Sequence, residues 1–236
     1  MPHCILCDQT VDDWLPHPHL NQRSEFMKLM QTVGSDLNRY QCPACGCTDR
    51  DRHLWLYLSH IGLTGQLRGA RVLHVAPERS LERKLAACGL GEYVRGDLFP
   101  SRAGIRKVDI EQLDFPDGHF DLILCNHVLE HVAQPERALA EFRRCLTPKG
   151  VLIAQTPYSP ELKKTFELKA VPSAEFARLC FGQEDHVRLF GDDIVEYFHA
   201  AGLQGGLLPH DRLLPQIDPQ EWGCNRREPL FFFSNP

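Results

Sequence analysis

Four cysteines near the start of the chain have the spacing of metal ligands. Cys4 and Cys7 form one pair separated by two residues, and Cys42 and Cys45 form a second pair after 34 intervening residues. Two residues between cysteines let both thiolates turn toward one ion, so four sulfurs can complete a tetrahedral zinc site. We predict a structural zinc ion, because a full shell of four sulfurs leaves no open position for catalysis. Cys47 is a further thiol that could replace a ligand, although the spacing favours Cys45.

A second group of polar residues follows predicted strands. Asn126 and His127 come directly after the apolar run Phe120–Cys125, and Asp97 and Asp109 end or follow two shorter apolar segments. In a parallel sheet covered by helices, ligands bind outside the carboxyl ends of the strands. An acid about 20 residues past the first loop of such a unit bonds ribose hydroxyls, and Asp97 has that position. These residues therefore indicate a nucleotide-type ligand.

The elements that must position these residues alternate between strands and helices. A strand and turn over residues 71–78 lead into a helix with Ser80 as its N-cap. Further strands are predicted over residues 93–97, 107–110, 120–125, 151–156, 203–214 and 228–233. Further helices are predicted over residues 24–30, 54–61, 127–132, 136–146 and 192–201. This alternation predicts an α/β fold with a Rossmann-like, seven-stranded, mostly parallel sheet, a terminal β-hairpin and a small N-terminal zinc-binding module.

One long segment carries a family resemblance. Residues 109–132 have the sequence DIEQLDFPDGHFDLILCNHVLEHV. This pattern resembles the class I S-adenosylmethionine-dependent methyltransferases, specifically small-molecule enzymes of the methyltransferase type 11 kind. The resemblance implies that S-adenosylmethionine is the cofactor, that Asp109 accepts from the adenine amine and that Ile110 flanks the ring. It further implies cofactor contacts from Leu98, Asn126 and His127.

The first loop departs from the family pattern. Where the family has an acid and three glycines, the segment HVAPERS has His74, Ala76, Glu78 and Ser80. The resemblance still implies that this loop holds the methionine end of the cofactor, with contacts from His74, Ala76, Pro77 and Glu78. Glycine is used where a ligand approaches the backbone closely, so Glu78 must either swing away or contact the ligand. We expect its carboxylate to pair with the ammonium group of the cofactor.

Two further segments resemble a subgroup of these enzymes that is associated with polysaccharide modification. Residues 42–58 have the sequence CPACGCTDRDRHLWLYL, and residues 185–191 have DHVRLFG. The resemblance implies a zinc-ribbon module with a linking helix over residues 1–61. It implies a methyltransferase domain over residues 62–236, with a lid insertion around residues 157–190. His186 and Arg188 are expected to point together toward the pocket mouth. Arg50 and Arg52 are expected either to reach the cofactor carboxylate or an acidic substrate, or to be solvated charges at a helix start.

Three histidines are candidate catalytic bases. They are His127, His131 and His186, and neutral imidazole suits proton transfer near pH 7. A hydroxyl acceptor needs such a base, whereas an amine acceptor does not always need one. His131 belongs to the LEHV segment, which enzymes with different acceptors share, and this favours a positioning role for it.

Composition limits the partners. The chain has a net charge of −5, and residues 1–60 carry five basic and seven acidic side chains, which is a poor surface for a phosphate backbone. We therefore do not expect a nucleic-acid partner. Because no apolar run of 18 residues occurs, no membrane span is expected. Ten cysteines without an export signal predict reduced thiols and a cytoplasmic protein.

The leading hypothesis is methyl transfer from S-adenosylmethionine to a small-molecule or saccharide acceptor, at oxygen. One alternative is an RNA or protein methyltransferase that docks through its zinc ribbon. A second alternative is a non-catalytic cofactor-binding protein, in which the altered first loop marks lost activity. The sequence leaves the acceptor and the oligomeric state open.

Overall fold

The N-terminal part of the chain has little regular structure before one long buried helix. The computed structural model describes residues 1–20 and 23–236. The first elements are β1 (His3–Cys4), β2 (Gln9–Thr10), α1 (Glu25–Leu29), α2 (Asp49–His60) and α3 (Leu63–Gln66). The side chain of Thr48 caps α2 by accepting from the Asp51 backbone N–H, while the Asp51 carboxylate accepts from the backbone N–H of Thr48. This reciprocal cap fixes the point at which α2 enters the core.

A seven-stranded sheet forms the centre of the structure. The remaining strands are β3 (Arg71–Val75), β4 (Glu92–Asp97), β5 (Arg106–Lys107), β6 (Phe120–Cys125), β7 (Leu146–Ile153), β8 (Phe166–Glu167), β9 (Arg188–Leu189), β10 (Gln204–Leu208) and β11 (Leu230–Ser234). The strand order is β10-β11-β7-β6-β3-β4-β5, and only β11 runs antiparallel to its neighbours. The predicted Rossmann-like α/β fold and its terminal hairpin are therefore confirmed.

Helices cover both faces of this sheet. The remaining helices are α4 (Arg79–Ala86), α5 (Pro135–Cys145), α6 (Ala174–Phe181), α7 (Ile194–Ala200), α8 (His210–Leu213) and α9 (Pro219–Trp222). Successive strand residues point to opposite faces, so Leu73 packs in a cluster with residues of α5 and α7, while Val72 packs in a second cluster with α2 and α4. The sheet is thereby buried on both sides, and its carboxyl edge remains for a ligand.

The segment over residues 127–132 does not form the predicted helix. Within the described chain these residues make bends and turns, and His127 has a φ of 55°, outside the right-handed helical region. Two of their carbonyl groups accept from a distant side chain: the Arg188 guanidinium donates to Leu129 O at 3.0 Å and to Val132 O, and also to the following Ala133 O at 3.1 Å. Because these carbonyls are taken by a side chain from a distant segment, the LEHV sequence is held as an irregular loop.

Boundaries near the predicted ligand contacts also differ from expectation. Helix α4 begins at Arg79 with Glu78 at its N-cap, two residues before the predicted cap Ser80. The predicted strand over residues 107–110 is reduced to the two residues of β5, so Asp109 and Ile110 lie in the following turn. Boundaries of this kind depend on tertiary pairing as well as on local sequence.

Residues 157–190, predicted as a lid, contain β8, α6 and β9. Strands β8 and β9 pair in a separate two-stranded antiparallel sheet. Helix α6 packs against α1 through a small apolar cluster formed by Met27, Ala177, Phe181 and Leu189. The lid segment is therefore attached to the N-terminal part of the chain. In the part of the chain that the structure describes, no helix is both long and apolar enough to cross a membrane.

Candidate active site

The loop after β3 and the end of β6 line a cavity of about 370 Å³. Ala76 and His127, which contribute to its wall, have φ values of 46° and 55°. Positive φ is uncommon for residues other than glycine, and such strained residues cluster at functional sites. The N-terminal turn of α2 closes the cavity from the other side through Arg50 and Asp51. The cavity therefore lies at the carboxyl edge of the central strands, as the fold requires.

Glu78 lies in this cavity as a carboxylate held in place. The Nε2 of His74 donates to Glu78 Oε2 at 2.6 Å, and the Tyr93 hydroxyl bonds the other ring nitrogen at 2.8 Å. Asn126 Nδ2 lies 3.5 Å from the second carboxylate oxygen. Although burial opposes ionisation, the hydrogen bond from His74 keeps the pKa of Glu78 below its ordinary value. An ionised carboxylate in a small cavity suits a cationic group of a ligand.

Arg50 and Arg52 have different environments. Arg52 is fully buried, donates to the backbone carbonyls of Gly223 and Cys47, and lies 3.9 Å over the Trp14 ring. Neither expected role fits Arg52, because its side chain is not solvated and does not line the 370 Å³ cavity. Arg50 lines the 370 Å³ cavity, and burial of its charge is more than offset by Asp49 and other acids, which raise its pKa.

The predicted contacts to ribose and adenine lie on the same edge of the sheet but outside this cavity. Asp97 ends β4, and its Oδ1 accepts from the backbone N–H of Phe99 at 2.8 Å. Asp109 follows β5, and its Oδ1 accepts from the N–H of Glu111 at 2.9 Å. Leu98 is 42% exposed, whereas Ile110 is buried in the core. Their roles toward a cofactor therefore stay predictions.

A larger cavity of about 880 Å³ lies between the N-terminal segment and the lid. Its lining includes several basic side chains, namely His17, His19, Arg23, Arg50, Arg178 and His186. Arg50 lines this cavity as well as the smaller one. The two cavities are therefore neighbours, and the Arg50 guanidinium lies in the walls of both.

His127 stands between two buried acids. Its Nδ1 lies 3.6 Å from Glu130 and its Nε2 lies 3.7 Å from Glu228. Neither ring nitrogen has a hydrogen-bond partner among the residues described. Burial would lower the pKa of His127, but the two facing carboxylates raise it above its ordinary value. The His127 ring therefore lines the smaller cavity, while both of its nitrogens are buried and face carboxylates.

His131 and His186 meet at the join between the LEHV loop and the lid. Their rings pack edge to face with centroids 4.6 Å apart. His186 Nδ1 bonds the Phe181 carbonyl at 2.7 Å, and burial lowers the pKa of His186. His131 is partly exposed, with Nδ1 3.3 Å from Asp185. The structure therefore brings these two candidate residues together, and His186 lines the larger cavity.

Arg188 does not point to the pocket mouth, so that expectation is wrong. It is buried, and its guanidinium donates to carbonyls of the loop formed by residues 129–133. The backbone N–H of Val187 also donates to the Glu130 carbonyl at 3.0 Å. The LEHV and DHVR segments are therefore one structural unit, in which Arg188 has a positioning role.

Glu228 and Glu130 are site residues that the sequence did not single out. Glu228 precedes β11 and is 3% exposed, with its carboxylate facing His127 and, at 3.6 Å, the buried His53. No local pattern marks Glu228, because it reaches the site only when the terminal hairpin joins the sheet. Glu130 belongs to the LEHV segment. The helix that the sequence predicts for this segment gave no reason to expect Glu130 beside His127.

The four predicted zinc ligands come together at the N-terminus. The sulfur atoms all lie within 4.8 Å of one another, in Cys4, Cys7, Cys42 and Cys45. The Cys4–Cys45 and Cys7–Cys42 sulfur distances are 3.8 and 4.0 Å. Tetrahedral zinc with Zn–S bonds of about 2.3 Å requires sulfurs roughly 3.8 Å apart. The donor set therefore fits zinc, while Cys47 lies 3.5 Å from Cys4 and contacts Arg52.

Comparison with known proteins identifies the central part of the chain. Residues 72–154 match the family described as "Methyltransferase domain". This central part of the chain is therefore similar to a methyltransferase domain. The matched residues contain β4, β5, β6, β7 and all but the first residue of β3, together with the loop that holds Glu78 and the LEHV segment.

Individual curated proteins match parts of the chain. The chain is 33% identical over 114 residues to the ubiquinone/menaquinone biosynthesis C-methyltransferase UbiE of Psychromonas ingrahamii, covering 45% of this chain and 40% of that protein. It is 47% identical over 49 residues to an uncharacterized 37.1 kDa protein in transposon TN4556 of Streptomyces fradiae, covering 21% of this chain and 14% of that protein. The chain thus spans less than half the length of these curated relatives.

A solved structure supports the fold. The S-adenosylmethionine-dependent methyltransferase from Mesorhizobium loti matches with a TM-score of 0.50 and 16% identity, over 75% of this chain and 94% of that structure. At this identity the match concerns the fold alone.

Proposed function

We propose that this protein transfers a methyl group from S-adenosylmethionine to a hydroxyl oxygen of a small-molecule or sugar-like acceptor. The observation that carries the proposal is the pair of adjoining cavities. The smaller lies at the carboxyl edge of the methyltransferase sheet, and the larger, of about 880 Å³, shares Arg50 with it. Small-molecule sites have volumes of about 300–1,000 Å³, so the larger cavity suits a small acceptor beside the cofactor.

The residues of the smaller cavity fit the amino-acid end of S-adenosylmethionine. Glu78 offers an ionised carboxylate for the ammonium group, and Arg50 offers a guanidinium for the carboxylate. When bound, S-adenosylmethionine supplies a methyl carbon on a sulfonium, and the sulfur keeps the electron pair of the broken bond. Asp97 at the end of β4 would hold the ribose hydroxyls.

His127 is the base that we propose for a hydroxyl acceptor. It lines the smaller cavity, and its ring nitrogens are free of hydrogen bonds in the described structure. When the acceptor oxygen takes the methyl group, the His127 imidazole would accept the proton that the hydroxyl loses. Glu130 and Glu228 on either side would stabilise the imidazolium that results.

A structural zinc ion is part of the proposal. Cys4, Cys7, Cys42 and Cys45 would hold it, and the ion would stabilise the segment that precedes α2. Since Arg50 is in the first turn of α2, this segment also sets one wall of both cavities.

Transfer to carbon is a second candidate, because the UbiE relative is named a C-methyltransferase. Docking of RNA has less support, since residues 1–60 have a net negative charge. A non-catalytic role has less support too, because Glu78 keeps a charged group in the altered first loop.

The decisive experiment combines cofactor titration with product analysis. Calorimetry with S-adenosylmethionine should show one site per chain. Incubation with methyl-labelled cofactor and panels of saccharides, phenols, quinols and RNA should label a small hydroxyl compound, and fragmentation of the product should locate the methyl on oxygen. A lack of cofactor binding would exclude both enzyme hypotheses, whereas a methyl on carbon or on RNA would replace the leading one.

A further inference from the structure

Three side chains from two distant segments converge beside the larger cavity. Glu130 and His131 come from the LEHV loop, and His186 comes from the lid. One potential ligand atom from each lies within 4.8 Å of the other two. The backbone bond between Val187 and Glu130 and the Arg188 contacts hold these two segments together. The grouping is therefore built into the fold.

The facing atoms of this group lack partners, although their side chains are buried. Glu130 is 1% exposed and His186 is 3% exposed, yet Glu130 Oε1 and His186 Nε2 have no hydrogen-bond partner among the described residues. They lie 3.9 Å apart, which is too far for a hydrogen bond. A buried polar atom without a partner destabilises the fold, so two that face each other indicate a missing group between them.

The opposite atoms of the same side chains are fixed. Thr156 Oγ1 donates to Glu130 Oε2 at 2.9 Å, which leaves Oε1 as the free carboxylate oxygen. His186 Nδ1 donates to the Phe181 carbonyl at 2.7 Å, which leaves Nε2 with its lone pair. Histidines that bind metals are commonly held in this way, with the second ring nitrogen donating to a carbonyl or carboxylate.

We infer that Glu130, His131 and His186 bind a divalent transition-metal ion. Two ligand atoms bonded at about 2.0–2.2 Å to one ion lie roughly 3–4 Å apart, and the 3.9 Å separation of Oε1 and Nε2 fits. Two imidazoles and one carboxylate suit first-row divalent ions and leave further coordination positions open. The ion is distinct from the zinc held by the four cysteines.

The site would act on the acceptor, and this role rests on the proposed function. His186 and Asp185 line the larger cavity, so an ion held by His186 would lie beside the space proposed for the acceptor. A hydroxyl oxygen bound to the ion would be fixed in place and polarised toward loss of its proton. The acceptor class would then be a compound whose reacting hydroxyl can coordinate a metal.

An ion pair between His127 and Glu130 does not explain why Glu130 Oε1 and His186 Nε2 lack hydrogen-bond partners. Its Nδ1 lies 3.6 Å from Glu130 Oε1, beyond hydrogen-bond distance, and it does not approach Glu130, His131 and His186 together. An ion pair of these residues alone would therefore leave His186 Nε2 without a partner.

The test is a Mn²⁺ titration of the full chain with zinc already bound, followed by the electron paramagnetic resonance of free Mn²⁺. Mn²⁺ is the weakest of the first-row divalent ions for thiolate sites and does not displace zinc from four cysteines. Wild type should bind one Mn²⁺. Affinity should fall by at least about tenfold in His131→Ala, in Glu130→Gln, which keeps the Thr156 bond, and in His186→Asn, whose amide can still donate to Phe181.

Two further variants separate a metal site from general loss of structure. Thr156→Val removes only the hydroxyl that orients Glu130, and it should weaken Mn²⁺ binding about tenfold. His199→Gln, which changes an exposed residue of α7, should bind Mn²⁺ as wild type does. No Mn²⁺ binding by wild type, or equal binding by the ligand variants and the His199 control, would overturn the inference.

Cofactor titration in parallel keeps the two proposals apart. Mn²⁺ binding without S-adenosylmethionine binding would support the metal site and reject methyl transfer. Methyl transfer could instead be unchanged when Mn²⁺ is added or chelated, in protein that retains its zinc. That result would support the enzyme activity and contradict a role of the ion in binding the acceptor.

Discussion

Replacement of Glu78 by glutamine tests how the cofactor is held. Glutamine keeps the shape of the side chain and can still accept from His74, but it removes the charge that we expect to face the cofactor ammonium. A hydrogen bond to a charged group contributes about 1.5–3 kcal/mol. Since the Glu78 side chain is 25% exposed in the free protein, the lower half of that range applies. The affinity for S-adenosylmethionine should therefore fall roughly 10- to 30-fold.

The assay is calorimetry with three ligands. S-adenosylmethionine and S-adenosylhomocysteine both carry the amino-acid end, so both should lose the same factor in Glu78→Gln. 5′-Methylthioadenosine lacks that end, and its affinity should not change. Glu92→Gln is the matched control, because Glu92 also pairs with a histidine, His119 Nε2 at 2.9 Å, away from both cavities.

Two results would refute this reasoning. Equal affinity of Glu78→Gln and wild type for S-adenosylmethionine would mean that Glu78 does not contact the amino-acid end. An equal loss for 5′-methylthioadenosine would mean that the substitution disturbs the whole site, through the His74 and Tyr93 hydrogen bonds, and not through the ammonium contact.

The remaining predictions concern stability and metal content. Arg188→Leu should destabilise the fold by about 3 kcal/mol in urea unfolding, because buried loop carbonyls lose a charged donor; a loss below about 1 kcal/mol would contradict the positioning role. Cys45→Ser should abolish binding of one zinc per chain by metal analysis, whereas Cys47→Ser should retain it, and the reverse pattern would make Cys47 the ligand in place of Cys45. Burial beside Glu228 raises the pKa of Asp49 to about 7 from 3.8, so its protonated form stabilises the fold at low pH and this contribution is lost as pH rises to about 7. Asp49→Asn should flatten that decline in urea midpoints between about pH 4 and 7, and an unchanged slope would contradict the shift.

The sheet was predictable because its signals are local. The apolar run Phe120–Cys125 and the turns around it mark a buried strand without reference to the rest of the chain. The Cys-x-x-Cys pairs likewise identify a candidate metal site from spacing, although not the ion. Pro135 is a third local signal, because its fixed φ favours the first turn of a helix, and α5 begins at this residue.

The site was less predictable because its contacts span long sequence separations. Arg50 and Arg52 are two residues apart, so their side chains are separated by roughly 200° around the helix axis. Arg50 lines the cavities, whereas Arg52 donates to the Gly223 carbonyl. The LEHV segment has helical spacing, but its carbonyls bond Arg188 more than 50 positions later. Glu228 faces His127 only after the last strand has joined the sheet. None of these contacts has a local pattern.

The contact between α1 and α6 has a consequence for protein engineering. The wall of the larger cavity comes mainly from residues before α2 and from the lid, and the Met27–Phe181 cluster joins these two segments. A chimera that exchanges only the lid with a relative would place a foreign α6 against the native α1, and both the cluster and the cavity wall would be mismatched. Substrate range should therefore be transferable between relatives only when the cysteine-bearing segment and the lid are exchanged as a pair.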